Sequence, residues 1–370
     1  MSCEEIRQII QSRKIPWYWY VGALHGKERE LKIKARLFSM LCLEIRLYFS
    51  ITEKNLADQL FKYIPNQSMT MTEAELIKKL IELSSKTVPI DLSTGKSARK
   101  LSVVISLDFE KFNQRWRERS TRYIFTAFDQ LFGTPGLYTF SHEFFQQSFF
   151  YLSSFLNPPD FLRKRKKTDR KSSKFMTENN AEDFLKGSQV TWLHQAGGCE
   201  GLRQKGWTVI IQSALEVVRY KMGIKSFIIG QGDNQIIVVD LPIPYENLSP
   251  SDYLKLHNVE IERALMDYMR ELKTTTMGIG MDLKLEESWI SIRLINYGKE
   301  LIVDGSMMGG GLKRAGRTYQ EVNEIHPTIQ NRIAAIFTSA REKTYDNILP
   351  YFLSMTESMC LISREAKCGT

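Results

Sequence analysis

Two aspartates stand where metal chemistry could be done. Asp108 follows directly on Leu101–Leu107 (LSVVISL), a run whose β-branched content predicts a buried strand. Asp233 lies in Gly230-Gln231-Gly232-Asp233-Asn234, between the β-branched runs Ser226–Ile229 and Gln235–Asp240. Gly-Asp-Asn between such runs predicts a tight hairpin. A strand beside a hairpin can bring both carboxylates to one sheet edge. Two divalent ions about 3.5–4 Å apart would there clamp the attacking and leaving oxygens of a phosphoryl transfer. Magnesium takes one or two carboxylates plus substrate phosphates, so two aspartates suffice. Taken singly, each has a plainer use: Asp108 caps the following helix, and Asp233 is a turn residue.

Other segments carry charge suited to phosphate. Lys27, Arg29, Lys32 and Arg36 form a basic stretch, with Glu28 and Glu30 offsetting part of its charge. Lys and Arg neutralise phosphate, and Arg does so bidentately; a solvated helix face is the alternative. Arg163–Lys174 (RKRKKTDRKSSK) is polar, basic and aperiodic: a loop that contacts phosphate or merely solubilises. Three further patterns fail on inspection. Gly95-Lys96-Ser97 lacks the upstream glycine of a phosphate loop, where Ile90 stands. His142-Glu143-Phe144-Phe145-Gln146 puts Gln146 where a zinc motif needs a second histidine. Gly309-Gly310-Gly311 is a turn without a phosphate-loop frame.

The elements that must position these residues follow from periodicity. Glu4–Arg13 reads as a short amphipathic helix, and the spacing predicts helix from Leu37 to Phe49. Thr72–Leu83 is a further helix, with Thr72 as N-cap and Glu75 completing a capping box. Phe109–Phe132 reads as one long helix closed by Gly133. The glycine-rich turn Gly197–Gly201 leads into a helix from Leu202 to Met222, ended by Gly223 and with Trp207 in its core. Ser251 caps a helix to Leu272, Leu283–Val303 is strand-rich, and the last 45 residues are helical. The aromatic run Phe144–Leu156 is core.

Composition bounds the class. The 370 residues suffice for two or three packed units, with 43% hydrophobic and 25% charged residues. The net charge of +9 suits a partner carrying phosphates. Cys3, Cys42, Cys199, Cys360 and Cys368 show no zinc spacing and read as reduced thiols in a cytosolic setting. No run of about 18 uncharged apolar residues predicts a spanning helix, and no signal-peptide pattern follows Met1.

Six segments, in order, resemble the polymerase core of the large protein of rhabdoviruses and their relatives, negative-strand RNA viruses with non-segmented genomes. Lys27-Glu28-Arg29-Glu30-Leu31-Lys32 with Arg36 resembles the basic fingers motif. Ser106-Leu107-Asp108-Phe109-Glu110-Lys111-Phe112-Asn113 resembles motif A. Gly197-Gly198-Cys199-Glu200-Gly201-Leu202-Arg203-Gln204-Lys205-Gly206-Trp207 resembles motif B, with Cys199 where an aliphatic residue is expected. Gln231-Gly232-Asp233-Asn234-Gln235 resembles motif C. Tyr297-Gly298-Lys299 and Leu312-Lys313-Arg314 resemble the end of motif D and motif E. Gly-Asp-Asn alone says little; framed by glutamines behind that motif B, it is specific and weighs against a reverse transcriptase. The resemblance runs from residue 21 to 320.

The resemblance implies an α/β fold: a right-hand polymerase palm, its antiparallel sheet backed by helices, plus fingers. Residues 1–100 are then a fingers segment, 101–133 palm motif A, and 134–196 a fingers insertion with the basic loop. Residues 197–320 are palm motifs B to E, and 321–370 a helical extension. It implies an RNA-directed RNA polymerase. Asp108 and Asp233 would hold two Mg²⁺ ions, or Mn²⁺ in their place. Lys27, Arg29, Lys32, Arg36 and Asn234 would meet the nucleotide, and Gly198, Glu200, Gly201 and Gln204 the template and nascent pair. Lys299 or Lys284 would protonate the leaving pyrophosphate. Implied partners are RNA, ribonucleoside triphosphates, a viral phosphoprotein and nucleoprotein-coated RNA, with no membrane. The implied setting is a virion and the host cytoplasm or nucleus. Such polymerases are far longer, with capping and methyltransferase modules that nothing here resembles. The chain is therefore expected to be a piece of one, or a shortened copy in a host genome. The rival reading is an inactive remnant that at most binds RNA.

Overall fold

The computed structural model describes residues 2–26, 37–87, 99–153, 191–245, 250–298, 300–308, 328–344 and 351–368. Within these the fold is mixed α/β, built on three small sheets. The central one is antiparallel, in the order β6-β7-β3-β8, from β6 (Ser226–Gln231), β7 (Asn234–Tyr245), β3 (Arg99–Leu107) and β8 (Trp289–Ser291). Alternate residues of a strand point to opposite faces, and here both faces are covered. Val103, Ile105, Leu107, Ile237 and Val239 join the larger core, together with Trp207 and Leu215 of α7 (Gln204–Met222) and Tyr268 and Leu272 of α9 (Asn258–Gly278). Val104, Ile236 and Val238 join a second core with Leu80 and Leu83 of α3 (Glu73–Thr87). Ile295 and Tyr297 of β9 (Leu294–Tyr297) and Ile302 of β10 (Glu300–Val303) complete it. Burial on both sides explains why β3 carries β-branched residues on both faces, flanked only by the small, buried Ser102 and Ser106.

A second sheet, β2-β1-β4-β5, uses β1 (Val21–Gly26), β2 (Leu37–Leu41), β4 (Phe149–Leu152) and β5 (Thr191–Leu193), with β1 and β4 parallel. β9 and β10 pair with β11 (Ser306–Met308) in a three-stranded meander. An aromatic cluster lies between α2 (Leu43–Asn55) and α6 (Phe140–Gln147), where Tyr48, Phe49, Phe140, Phe144 and Phe145 are buried. The expected helices at the N-terminus and in the last 45 residues are α1 (Cys3–Ser12), α10 (Ile329–Thr344) and α11 (Tyr351–Cys368). The Thr72 cap holds as read: its backbone N–H donates to Glu75 Oε2 at 2.8 Å, and Glu75 N–H donates to Thr72 Oγ1 at 3.3 Å.

Three elements differ from their sequence patterns. Leu37–Leu41 is a strand, because pairing with β1 (Gly26↔Leu37 through Gly22↔Leu41) overrides its helical spacing; helix begins only at Leu43. Phe109–Phe132 is interrupted. Phe109 bridges to Leu283, Lys111 takes φ +49°, α4 (Phe112–Arg115) is a single turn, and Arg117 is extended before α5 (Glu118–Leu131). Aromatic anchors set that break. Trp116 is fully buried and stacks on Trp207 with ring centroids 5.9 Å apart, while Phe112 meets Trp116 edge-on at 5.4 Å. The third pattern, Ser251 to Leu272, begins at Pro250 instead and is two helices, α8 (Pro250–Leu256) and α9, separated at His257. Proline is at home in a first turn, where its missing N–H is not needed.

Candidate active site

β3 and β7 pair with Leu107 opposite Gln235, so Asp108 leaves its strand beside the turn that joins β6 to β7. Asp233 sits in that turn, and its charge acts on Asp108. On the other flank of β3 comes a segment of which the sequence singled out Lys284 alone, and neither Glu287 nor Ser288. Lys284 N–H donates to the Asp108 carbonyl at 2.9 Å, Asp108 N–H donates to Ser288 Oγ at 3.3 Å, and Ser288 Oγ donates to the Lys284 carbonyl at 2.9 Å. This docking brings Glu287 against Asp108, with which it shares a side-chain hydrogen bond, while Lys284 Nζ binds the Glu287 carboxylate. Three acids thus converge from three elements.

Their proximity has an electrostatic signature. Burial first, then the hydrogen bond with Glu287 and the charges of Asp233 and Glu287, push the Asp108 carboxyl up to about 7; Lys284 offsets part of this. Like charges gathered in a half-buried place are stabilised by a cation, which is the donor chemistry a divalent ion needs. Among the described residues no three such groups are arranged to hold an ion by themselves. Phosphate and water would have to complete a shell begun by the carboxylates.

The turn carrying Asp233 is braced from two directions. Gly232 takes φ +58° and donates its N–H to Thr208 Oγ1 at 2.9 Å, while its carbonyl accepts from Gln235 Nε2 at 2.9 Å. Gly230 donates to the Asn66 carbonyl at 3.0 Å and accepts from Ser68 N–H at 3.0 Å. Gln212 Nε2 also donates to the Asn66 carbonyl, at 2.6 Å, tying α7 to the same loop. Asn234 is exposed, and its Nδ2 donates to Asp233 Oδ1 at 3.3 Å.

In the glycine-rich segment, two glycines serve packing. A Cβ at Gly197 would lie 1.9 Å from the Gln114 carbonyl oxygen, and one at Gly198 would lie 1.8 Å from the Trp207 ring. Gly198 also donates to the Asn113 carbonyl at 2.9 Å, fastening this segment to α4 beside Asp108. Gly201, by contrast, takes φ +84° with open space around it. Glu200 is half-buried, and the Gln204 amide lies over Gly232. Cys199 packs against the core, and burial pushes its thiol up to about 12, which marks a packing group.

Arg203 is the residue that sequence reasoning most undervalued. It is fully buried and donates to Ser141 Oγ at 2.7 Å, Thr52 Oγ1 at 2.6 Å, Tyr48 Oη at 2.7 Å and Glu53 Oε1 at 3.4 Å. Its guanidinium also faces the rings of Tyr48, Phe49, Phe125 and Tyr138. Glu53 accepts in addition from Lys205 N–H at 2.7 Å, so the start of α7 is fixed to α2. Lys27, Arg29, Lys32, Arg36 and Lys299 lie outside the described residues, as do Arg163–Lys174, Gly95-Lys96-Ser97 and residues 309–314.

Comparisons with known proteins place the chain in a family. A family model described as Mononegavirales RNA dependent RNA polymerase matches residues 4–368. The chain is 29% identical over 346 residues to the RNA-directed RNA polymerase L of Taro vein chlorosis virus, covering 90% of this chain and 16% of that protein. It is 30% identical over 341 residues to the RNA-directed RNA polymerase L of Lettuce big-vein associated virus, covering 92% and 15%. It is 30% identical over 321 residues to the Large structural protein of Rabies virus (strain Nishigahara RCEH), covering 86% and 14%. The chain thus spans between 14% and 16% of the length of these relatives.

Proposed function

The chain belongs to the Mononegavirales RNA dependent RNA polymerase family, and from that premise we propose that the β6-β7-β3-β8 sheet is a polymerase palm that extends RNA on an RNA template. The observation that carries the reading is the convergence of Asp108 and Asp233 at one end of β3, with Glu287 and Lys284 beside them. The sheet β2-β1-β4-β5 and its helices, on this reading, belong to the fingers.

The reaction forms a bond between an RNA 3′-oxygen and the α-phosphorus of a ribonucleoside triphosphate, and breaks the bond from that phosphorus to the bridging oxygen. Asp108 and Asp233 would hold the divalent cations, Mg²⁺ with Mn²⁺ as a substitute. When bound, such ions acidify the attacking hydroxyl and neutralise charge on attacking and leaving oxygens. The protein otherwise acts by placement. The register of β3 with β7 sets the two carboxylates, and the clasp of residues 282–288 on Asp108 keeps them from drifting apart. Lys284, bound to Glu287 beside Asp108, is one candidate to give a proton to the departing pyrophosphate, with Lys299 the other. Lys27, Arg29, Lys32 and Arg36 neutralise the triphosphate, with Asn234 beside the metal turn. Glu200, Gly201 and Gln204 face the template and nascent pair, while Gly198, buried against Trp207, supports that loop from behind instead of meeting the template itself. Within a longer polymerase, RNA coated by nucleoprotein and a phosphoprotein are the partners, in the virion and the infected cell.

Primer extension by the purified chain with Mg²⁺ or Mn²⁺ tests the reading. Asp108→Ala and Asp233→Ala are expected to abolish incorporation while leaving the melting transition in place, since both groups are only half-buried. Incorporation at the unsubstituted rate in either variant rejects the assigned roles. Incorporation absent from the unsubstituted chain as well as from its variants, beside measurable RNA binding, favours the inactive remnant.

A further inference from the structure

The turn that carries Asp233 is held in part from outside its own hairpin. Gly232, the residue before it, is buried, and its N–H finds its partner on another element, the Thr208 hydroxyl of α7. We propose that Thr208 is a positioning residue for Asp233, fixing the turn so that the carboxylate lies where a divalent cation is shared with Asp108. The inference rests on the polymerase reading above and adds to it a residue outside every motif aspartate.

The hydroxyl's hydrogen and one of its two acceptor sites are both in use. Thr208 has no exposed surface. A hydroxyl offers one hydrogen and two acceptor sites. The hydrogen goes to the Gln204 carbonyl at 2.7 Å, one helical turn earlier, with Met69 Sδ also within 3.3 Å. A lone pair receives the Gly232 N–H at 2.9 Å. From the opposite side the Gly232 carbonyl is held by Gln235 Nε2, and a Cβ on Gly232 would lie 1.8 Å from Gln204 Nε2. Both backbone groups and the free face of Gly232 are therefore occupied, which leaves the next residue little freedom. Since Gln204 and Thr208 are neighbours on α7, a displacement of that helix start is passed to Asp233 through the same bond.

The test uses the full chain with Thr208→Val, which keeps the shape and removes the acceptor, and Thr208→Ser, which keeps the hydroxyl. If Thr208→Val does not fold, Thr208→Cys replaces it, because sulfur is only a weak acceptor. Three quantities are read: hydrogen exchange of the 226–236 segment without metal, Mn²⁺ affinity by electron paramagnetic resonance, and kcat and KM in primer extension. Thr208→Val is expected to speed exchange in the turn, weaken Mn²⁺ about fivefold or more, and lower kcat on the order of a hundredfold. Misplacement by about 1 Å is enough for that loss. KM for the nucleotide stays close to its starting value, and Thr208→Ser restores all three. A Thr208→Val chain that melts earlier but binds Mn²⁺ and turns over unchanged overturns the proposal, leaving Thr208 a packing residue. Asp233→Ala separates the two levels. If Asp233→Ala weakens Mn²⁺ while Thr208→Val does not, the inference alone fails; if Asp233→Ala has no effect, the reading beneath it fails as well.

Discussion

Asp108 and Glu287 share a hydrogen bond that needs a proton on one of them, and Lys284 is bound to the same Glu287. The Glu287 hydrogen bond first, and then the charges of Glu287 and Asp108, raise the Lys284 pKa, so the ammonium steadies charge; substitution can tell whether it also donates its proton once pyrophosphate arrives. Arginine keeps the charge but does not release its proton in proteins. If Lys284 donates to pyrophosphate, Lys284→Arg and Lys284→Met both lower kcat on the order of a hundredfold, the usual scale for general acid catalysis. Rapid-quench incorporation against pH, with Lys299→Arg in parallel, checks this. A Lys284→Arg chain with unchanged kcat hands the proton role to Lys299 or removes it from both.

Elements meet at Arg203. Through this one side chain the start of α7 is joined to α2 and to α6, and Glu53 answers from α2 by accepting both Arg203 and Lys205 N–H. Burial raises the Glu53 carboxyl, and Arg203 pulls it back down, so each charge depends on the other. Removing one partner of a buried pair costs about 3–5 kcal/mol because the other is left uncompensated. Arg203→Met is therefore expected to destabilise the chain by about that much in urea unfolding. Arg203→Met with Glu53→Gln is expected to recover part of the loss, since no lone buried charge remains. A loss under about 1 kcal/mol in the single variant would mean that the cage holds by its aromatic packing rather than by charge.

At the scale of the whole molecule, acid stability turns on His142, a residue that catalysis does not use. Its ring is buried against Phe125 and Phe145, and neither ring nitrogen has a hydrogen-bond partner in the described structure. Burial first, and then the charges of Arg203 and Arg117, lower its pKa from 6.5 to about 4. A depressed pKa means that the unfolded chain binds the proton first. Stability from this group is complete above about 6.5 and is lost as the pH falls toward about 4, up to roughly 3 kcal/mol. Urea midpoints at pH 7 and 4.5 should therefore differ less in His142→Phe than in the unsubstituted chain; an equal difference refutes the assignment. The same contrast between local and distant contacts governs what was legible in the sequence. The strand ending at Asp108, the Gly-Asp-Asn hairpin, the Thr72–Glu75 capping box and the Gly223 helix end were all readable, because each depends on residues a few positions apart. The polymerase family was readable as a resemblance for the same reason, its motifs being short ordered strings. What the tertiary structure decided is where packing across long separations outweighs local pattern. Pairing with β1 turned Leu37–Leu41 into a strand, and the stacking of Trp116 on Trp207 broke a helix that periodicity made continuous. Glu287 joined the site because Ser288 meets Asp108 from 180 residues away, and Arg203 found Glu53 across 150. No periodicity records such meetings, since a buried charge chooses its partner by what the fold leaves within reach once water is excluded.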